Sequence, residues 1–134
     1  MEGKRRKARE SVLKLLYSLE FNPASPQNAI ENLQTISKKI YIDDFTKEIF
    51  TGVLENLSQI DDYIKKYTKN WKFERIALVE KNIMRIAIYE MLKRPDIPNI
   101  VSINEAVDIA KKYSNQDSGK FVNGILDKIN KEIT

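Results

Sequence analysis

Cysteine and histidine are both absent from the 134 residues. That removes disulfides, thiolate nucleophiles, zinc sites built on Cys or His, and the commonest general base at neutral pH. Carboxylate or lysine catalysis is left open, but the easiest enzyme classes are gone. Asp43-Asp44 and Asp61-Asp62 are i, i+1 neighbours, which do not share a helix face. They read as helix cap and surface.

Glycine is scarce, four residues in all, which argues against a turn-rich β architecture. No apolar run approaches the ~20 residues that span a bilayer, and no apolar segment follows the charged N-terminus as in a signal peptide. A cytoplasmic protein with no membrane association is expected. The length suits one core. Hydrophobic residues at 42% beside charged residues at 31% are ordinary for a globular fold.

Charge is unevenly placed. The chain holds 23 bases and 19 acids, net +4. Residues 1–10 contain five bases (Lys4, Arg5, Arg6, Lys7, Arg9) against Glu2 and Glu10, so the other 124 residues are almost neutral. A basic device at one end points to a polyanion.

Helical periodicity runs throughout, and no stretch alternates with period two. Ala8, Val12, Leu15, Leu16 and Leu19 form the apolar stripe of a first helix over Lys4 to Phe21, with Arg6, Arg9, Leu13 and Tyr17 on its flank. Asn22-Pro23-Ala24-Ser25-Pro26 ends it, and Ser25 caps a second helix with Pro26 at its first position. Ile30, Leu33, Ile36 and Ile40 give that helix its face. Asp43 or Asp44 caps a third, with Phe45, Ile49, Val53 and Leu57 inward, and Ser58 a fourth, with Ile60, Tyr63, Ile64 and Tyr67. Asn70-Trp71-Lys72 connects two halves, about 1–69 and 70–134. A turn at Phe73 to Ala77, a helix over Val79 to Leu92 and a stiff Arg94-to-Pro98 linker follow.

The most informative stretch is Val101 to Lys128, read as two helices joined by a polar elbow, Ser114 to Gly119. Ser102 and Glu105 fit a capping box, and Asp117 or Ser118 can cap the final helix. Gly124 would let helices approach closely. Lys111, Lys112, Lys120 and Phe121 make the elbow a candidate anion or nucleotide platform. The expected fold is all-α, about seven helices in two packed helical subdomains.

Three segments carry a resemblance: RRKARESVLKLLYSLE, DDYIKKYTKNWKFERIALVEKNIMRIAIYEML and IPNIVSINEAVDIAKKYSNQDSGKFVNGILDKI. The chain resembles the NusB transcription antitermination factors; residues 22–58 match only in helical pattern. The resemblance implies a non-enzymatic protein, with no catalytic residues, cofactor or metal, that binds single-stranded boxA RNA as a heterodimer with NusE, a ribosomal protein. It implies work within the RNA polymerase antitermination complex, reading through terminators in ribosomal RNA operons.

The candidate RNA-binding residues are Lys4, Arg5, Arg6, Lys7, Arg9 and Tyr17 from the first helix, with Gln116, Asp117, Ser118, Lys120 and Phe121 at the elbow, the latter matching the family's RNA-side motif. Arginines neutralise phosphates and stack on bases. Tyr17 can stack a base or cover core, and Phe121 stands at i, i+4 from Ile125 like a core residue. Replacing Arg6 and Arg9 with Glu is expected to abolish RNA binding with helicity intact. For the protein partner the candidates are Glu74, Glu80, Arg85 and the exposed part of the Val79 to Leu92 helix. Trp71 reads as core or as an interface anchor. Two other readings remain: a NusB-like module of a ribosomal RNA methyltransferase, which would need a longer reading frame, and a structural protein that self-associates as a homodimer through its apolar middle helices.

Overall fold

The computed structural model describes residues 3–134, so Met1 and Glu2 lie outside the described residues. Among the described residues the chain forms seven α-helices, one 3-10 turn and no strand. They are α1 (Lys4–Phe21), α2 (Pro26–Ile36), α3 (Asp44–Glu55), α4 (Leu57–Tyr67), α5 (Leu78–Lys93), α6 (Asn99–Tyr113) and α7 (Gln116–Ile133), with the 3-10 turn at Phe73–Arg75 before α5.

Local chemistry sets several boundaries. Ser25 Oγ accepts from the Asn28 N–H, and Pro26 opens α2 where its missing N–H costs nothing. Asp43 makes a reciprocal capping box: its carboxylate accepts from the Thr46 N–H at 2.8 Å, while Thr46 Oγ1 accepts from the Asp43 N–H. Burial disfavours ionisation of Asp43, yet these donors overcome it and hold the carboxyl below its usual range.

α5 is the axis. Its apolar residues (Ile83, Met84, Ile86, Ala87, Ile88, Met91) surround it on all sides, and every residue from Lys81 to Met91 is buried. It packs against α1, α3, α4, α6 and α7, while α2 lies on α1. One continuous core runs from Val12 in α1 to Ile129 in α7, across the expected division near residue 70. Where Tyr89 of α5 meets α3, Gly52 leaves room for its ring: a Cβ there would collide with Tyr89.

Several expectations are corrected. α6 begins at Asn99, directly after Pro98, so Ser102 and Glu105 lie inside the helix and are no capping box. The Ser102 hydroxyl donates to Glu90 Oε1 at 2.8 Å, and Glu105 accepts from Arg6 and Arg9. The cap of α7 is Asn115, whose side chain accepts from the Ser118 N–H; neither Asp117 nor Ser118 plays that part. Leu57 opens α4, and Ser58 does not cap it, because Asn56 interrupts the helical run. Ile36 is exposed at the end of α2, and Ile40 lies beyond it. Gly124 has open space where a Cβ would stand, so it serves no close helix approach.

Candidate nucleic-acid interface

The basic N-terminus is divided by the faces of α1. Ala8, Val12, Leu15 and Leu16 turn inward, which carries the flank bearing Arg6, Arg9 and Glu10 against α5 and α6. Lys4, Arg5 and Lys7 are left exposed. None of the three has an ion pair among the described residues; the Arg5 guanidinium lies 4.2 Å from the centre of the Phe45 ring.

Arg6 and Arg9 turn away from solvent. The Arg6 guanidinium forks onto Glu105 at 2.7 and 2.6 Å and reaches Asp108 at 3.0 Å. These bonds raise the Arg6 pKa above its ordinary value, and the bond from Arg6 lowers that of Glu105 against the opposing effect of burial. Arg9 is 4% exposed and forks onto Glu90, 0% exposed, at 2.7 and 2.8 Å. Arg9 is therefore corrected from RNA contact to interior fastening. Glutamate at position 9 would set a second carboxylate against buried Glu90, so the Arg6/Arg9 double change would damage folding and cannot isolate RNA binding.

The next turn of α1 fixes the elbow. Glu10 accepts from Lys112 Nζ at 3.0 Å and from the Tyr113 hydroxyl at 2.6 Å, holding the last two residues of α6 to α1. Past that anchor, Gln116, Asp117 and Lys120 are exposed at the start of α7. Asp117 stands in the first turn, where the helix dipole favours an acid. Ser118 is buried with its hydroxyl unpartnered among the described residues, so it is withdrawn from direct contact. Gly119 lies beneath the aliphatic chain of Lys111, with only 2.7 Å between a Cβ placed there and Lys111 Cγ. Phe121 is half-buried and meets Trp71 edge-on at 5.3 Å. Tyr17 is 41% exposed and lies 5.2 Å from Phe21, an exposed aromatic and not a cover for the core.

The chain matches the model of the NusB family over residues 6–131. It belongs to that family. It is 45% identical to the transcription antitermination protein NusB of Thermodesulfovibrio yellowstonii, across 96% of this chain and 93% of that protein. It superposes on the solved NusB of T. maritima with a TM-score of 0.81 at 42% identity, covering 98% of this chain and 94% of that one. A solved complex of the antitermination factors NusB and NusE with double-stranded RNA gives a TM-score of 0.84 at 26% identity, covering 98% and 99%. The all-α NusB fold expected from the sequence is thus the fold found.

In this NusB-family chain the residues named for a protein partner differ in exposure. Glu74 is exposed in the 3-10 turn, and Glu80 is half-buried in the first turn of α5. Arg85 is buried, forked onto Asp61 at 2.8 and 2.9 Å and bonded to Asn82. It is corrected to an internal tie between α5 and α4, and Asp61, read as surface, is its partner. Between Lys81 and Met91 α5 offers no exposed face, because five helices cover it. That stretch of α5 therefore has no open face for self-association. Sequence reasoning left Trp71 open between core and interface; it is 51% exposed. No described helix is long and apolar enough to cross a membrane.

Proposed function

We propose that this chain is an RNA-binding antitermination factor that takes single-stranded boxA RNA as a heterodimer with NusE, in the cytoplasm. Within the RNA polymerase antitermination complex it supports read-through of ribosomal RNA operons. The observation that carries this reading is the tie from Glu10 to Lys112 and Tyr113, which sets the elbow beside α1. Unpaired cations at one end of α1 (Lys4, Arg5, Lys7) and Lys120 at the elbow then form a composite basic surface, with exposed Tyr17 and half-buried Phe121 available for stacking. Phosphates meet the cations and unpaired bases meet the rings. Family membership and the solved NusB–NusE complex with RNA support the same partners for this chain.

The test is fluorescence anisotropy of a labelled single-stranded boxA RNA, with the chain alone and with NusE, at two salt concentrations, against a scrambled RNA. Binding that is sequence-dependent, weakened by salt and strengthened by NusE is expected. Equal, weak binding to both RNAs, unmoved by NusE, would reduce the basic end to unspecific charge and refute the proposal.

A further inference from the structure

Trp71 is the one tryptophan of the chain, and about half of its surface is exposed. An indole half open to solvent presents a large flat face on which another ring can stack. Its place is not that of a loose loop tip. The Trp71 N–H donates to the Thr68 carbonyl at 2.9 Å; Thr68 is itself buried and its hydroxyl donates to Ile64 O. The connector after α4 is thereby pinned. Its ring stands edge-on to Phe121, one residue past Lys120, with planes 79° apart.

The surroundings are basic. Residues 65–75 hold Lys65, Lys66, Lys69, Lys72 and Arg75 against Glu74 alone. Lys65 lies over the Phe73 ring and Lys66 pairs with Glu132. Lys69 and Lys72, which flank the tryptophan, are exposed and have no ion pair among the described residues, and the same holds for Lys120. An aromatic pair with exposed, unpaired lysines within two residues along the chain fits a polyanion whose units carry flat faces. It does not fit a basic ribosomal protein, which those cations would repel.

We propose that Trp71 and Phe121 form a base-stacking shelf for single-stranded RNA, carrying the RNA surface from the elbow onto the connector between α4 and α5. This rests on the RNA-binding reading above and adds a segment outside the first helix and the elbow. Lys69, Lys72 and Lys120 hold the phosphates on either side of the stacked base. Trp71 supplies the open face, and Phe121 braces it from the edge.

The single tryptophan makes the test site-specific. The full chain is titrated with the boxA-containing RNA oligonucleotide while Trp71 emission and its quenching by acrylamide are followed, and anisotropy of the labelled RNA is read in parallel. Emission is expected to fall along the anisotropy curve, with Trp71 shielded from acrylamide. Trp71→Ala should weaken RNA binding about tenfold, within the range of base–aromatic stacking, while Trp71→Phe keeps affinity within about threefold. Neither change should move the thermal midpoint or NusE affinity. RNA binding by anisotropy with unchanged Trp71 emission, and with wild-type affinity in Trp71→Ala, would overturn the shelf and leave the RNA-binding reading standing. Loss of NusE affinity in Trp71→Ala with RNA affinity intact would assign the connector to the protein partner and also overturn it. No RNA binding by the unaltered chain would remove both readings.

Discussion

Replacing Arg9 with alanine tests the claim that this arginine belongs to the interior. The change deletes both donors that Glu90 receives from α1, leaving a fully buried carboxylate with the Ser102 hydroxyl as its remaining partner. Breaking one side of such a pair costs about 3–5 kcal/mol, mostly the penalty of the stranded charge. For 134 residues unfolding with about 2.1 cal/mol/K per residue, that lowers the thermal midpoint by roughly 10–18 °C. Urea unfolding followed by far-UV circular dichroism reads the loss directly. Lys7→Ala, exposed on the same helix, is the control and should stay within about 0.5 kcal/mol. The double change Arg9→Met with Glu90→Leu removes both charges and should recover most of the loss. An Arg9→Ala protein within about 1 kcal/mol of the original would refute the reasoning, since it would mean that Glu90 tolerates isolation.

Three other outcomes are expected. Gly52→Ala, which would gain about 1 kcal/mol in an open helix, should instead cost about 1 kcal/mol or more because its methyl group meets the Tyr89 ring; urea midpoints decide the sign. Glu105 is held below its usual range chiefly by the bond from Arg6, so its contribution to stability is present above the ordinary carboxylate value and is lost as pH falls through the lowered one. Glu105→Gln should flatten the fall in stability below about pH 4, and an unchanged acid slope would count against the pairing. Arg5→Ala with Lys7→Ala should leave the fold intact and cut the salt dependence of RNA affinity by roughly 1.4 in log–log slope, at about 0.7 per phosphate contact on a single strand.

The helices were legible because their signals are local. Apolar spacing, Ser25 before Pro26, and the Asp43–Thr46 box each act within one or two turns. The family was legible from long matching strings. What misled was spacing without knowledge of the opposite wall. Arg6 and Arg9 share a flank with Tyr17, and charge favours solvent, so all three read as one RNA-facing stripe. Glu90 and Glu105, which draw the arginines inward, lie 81 and 96–99 residues further along. Nothing near residue 9 announces them. The Ser102-x-x-Glu105 pattern failed for a related reason: Pro98 started the helix one turn earlier, freeing both side chains for neighbours. Trp71 shows the opposite limit, since sequence spacing cannot say whether a connector residue will be covered.

The fastening of α1 also imposes an order on synthesis. At about 5–20 residues per second, Glu90 follows Arg9 from the ribosome by some 4–16 s. Through that interval the leading helix carries six cations against Glu10 and Glu20, and it lacks both α5 and the carboxylates that later hold it. Until then Arg6 and Arg9 stand unfastened among the cations of the first helix. Completion of α6 then withdraws Arg6 and Arg9, leaving Lys4, Arg5 and Lys7 outside. Maturation of this chain is in part a narrowing of its own electrostatic reach.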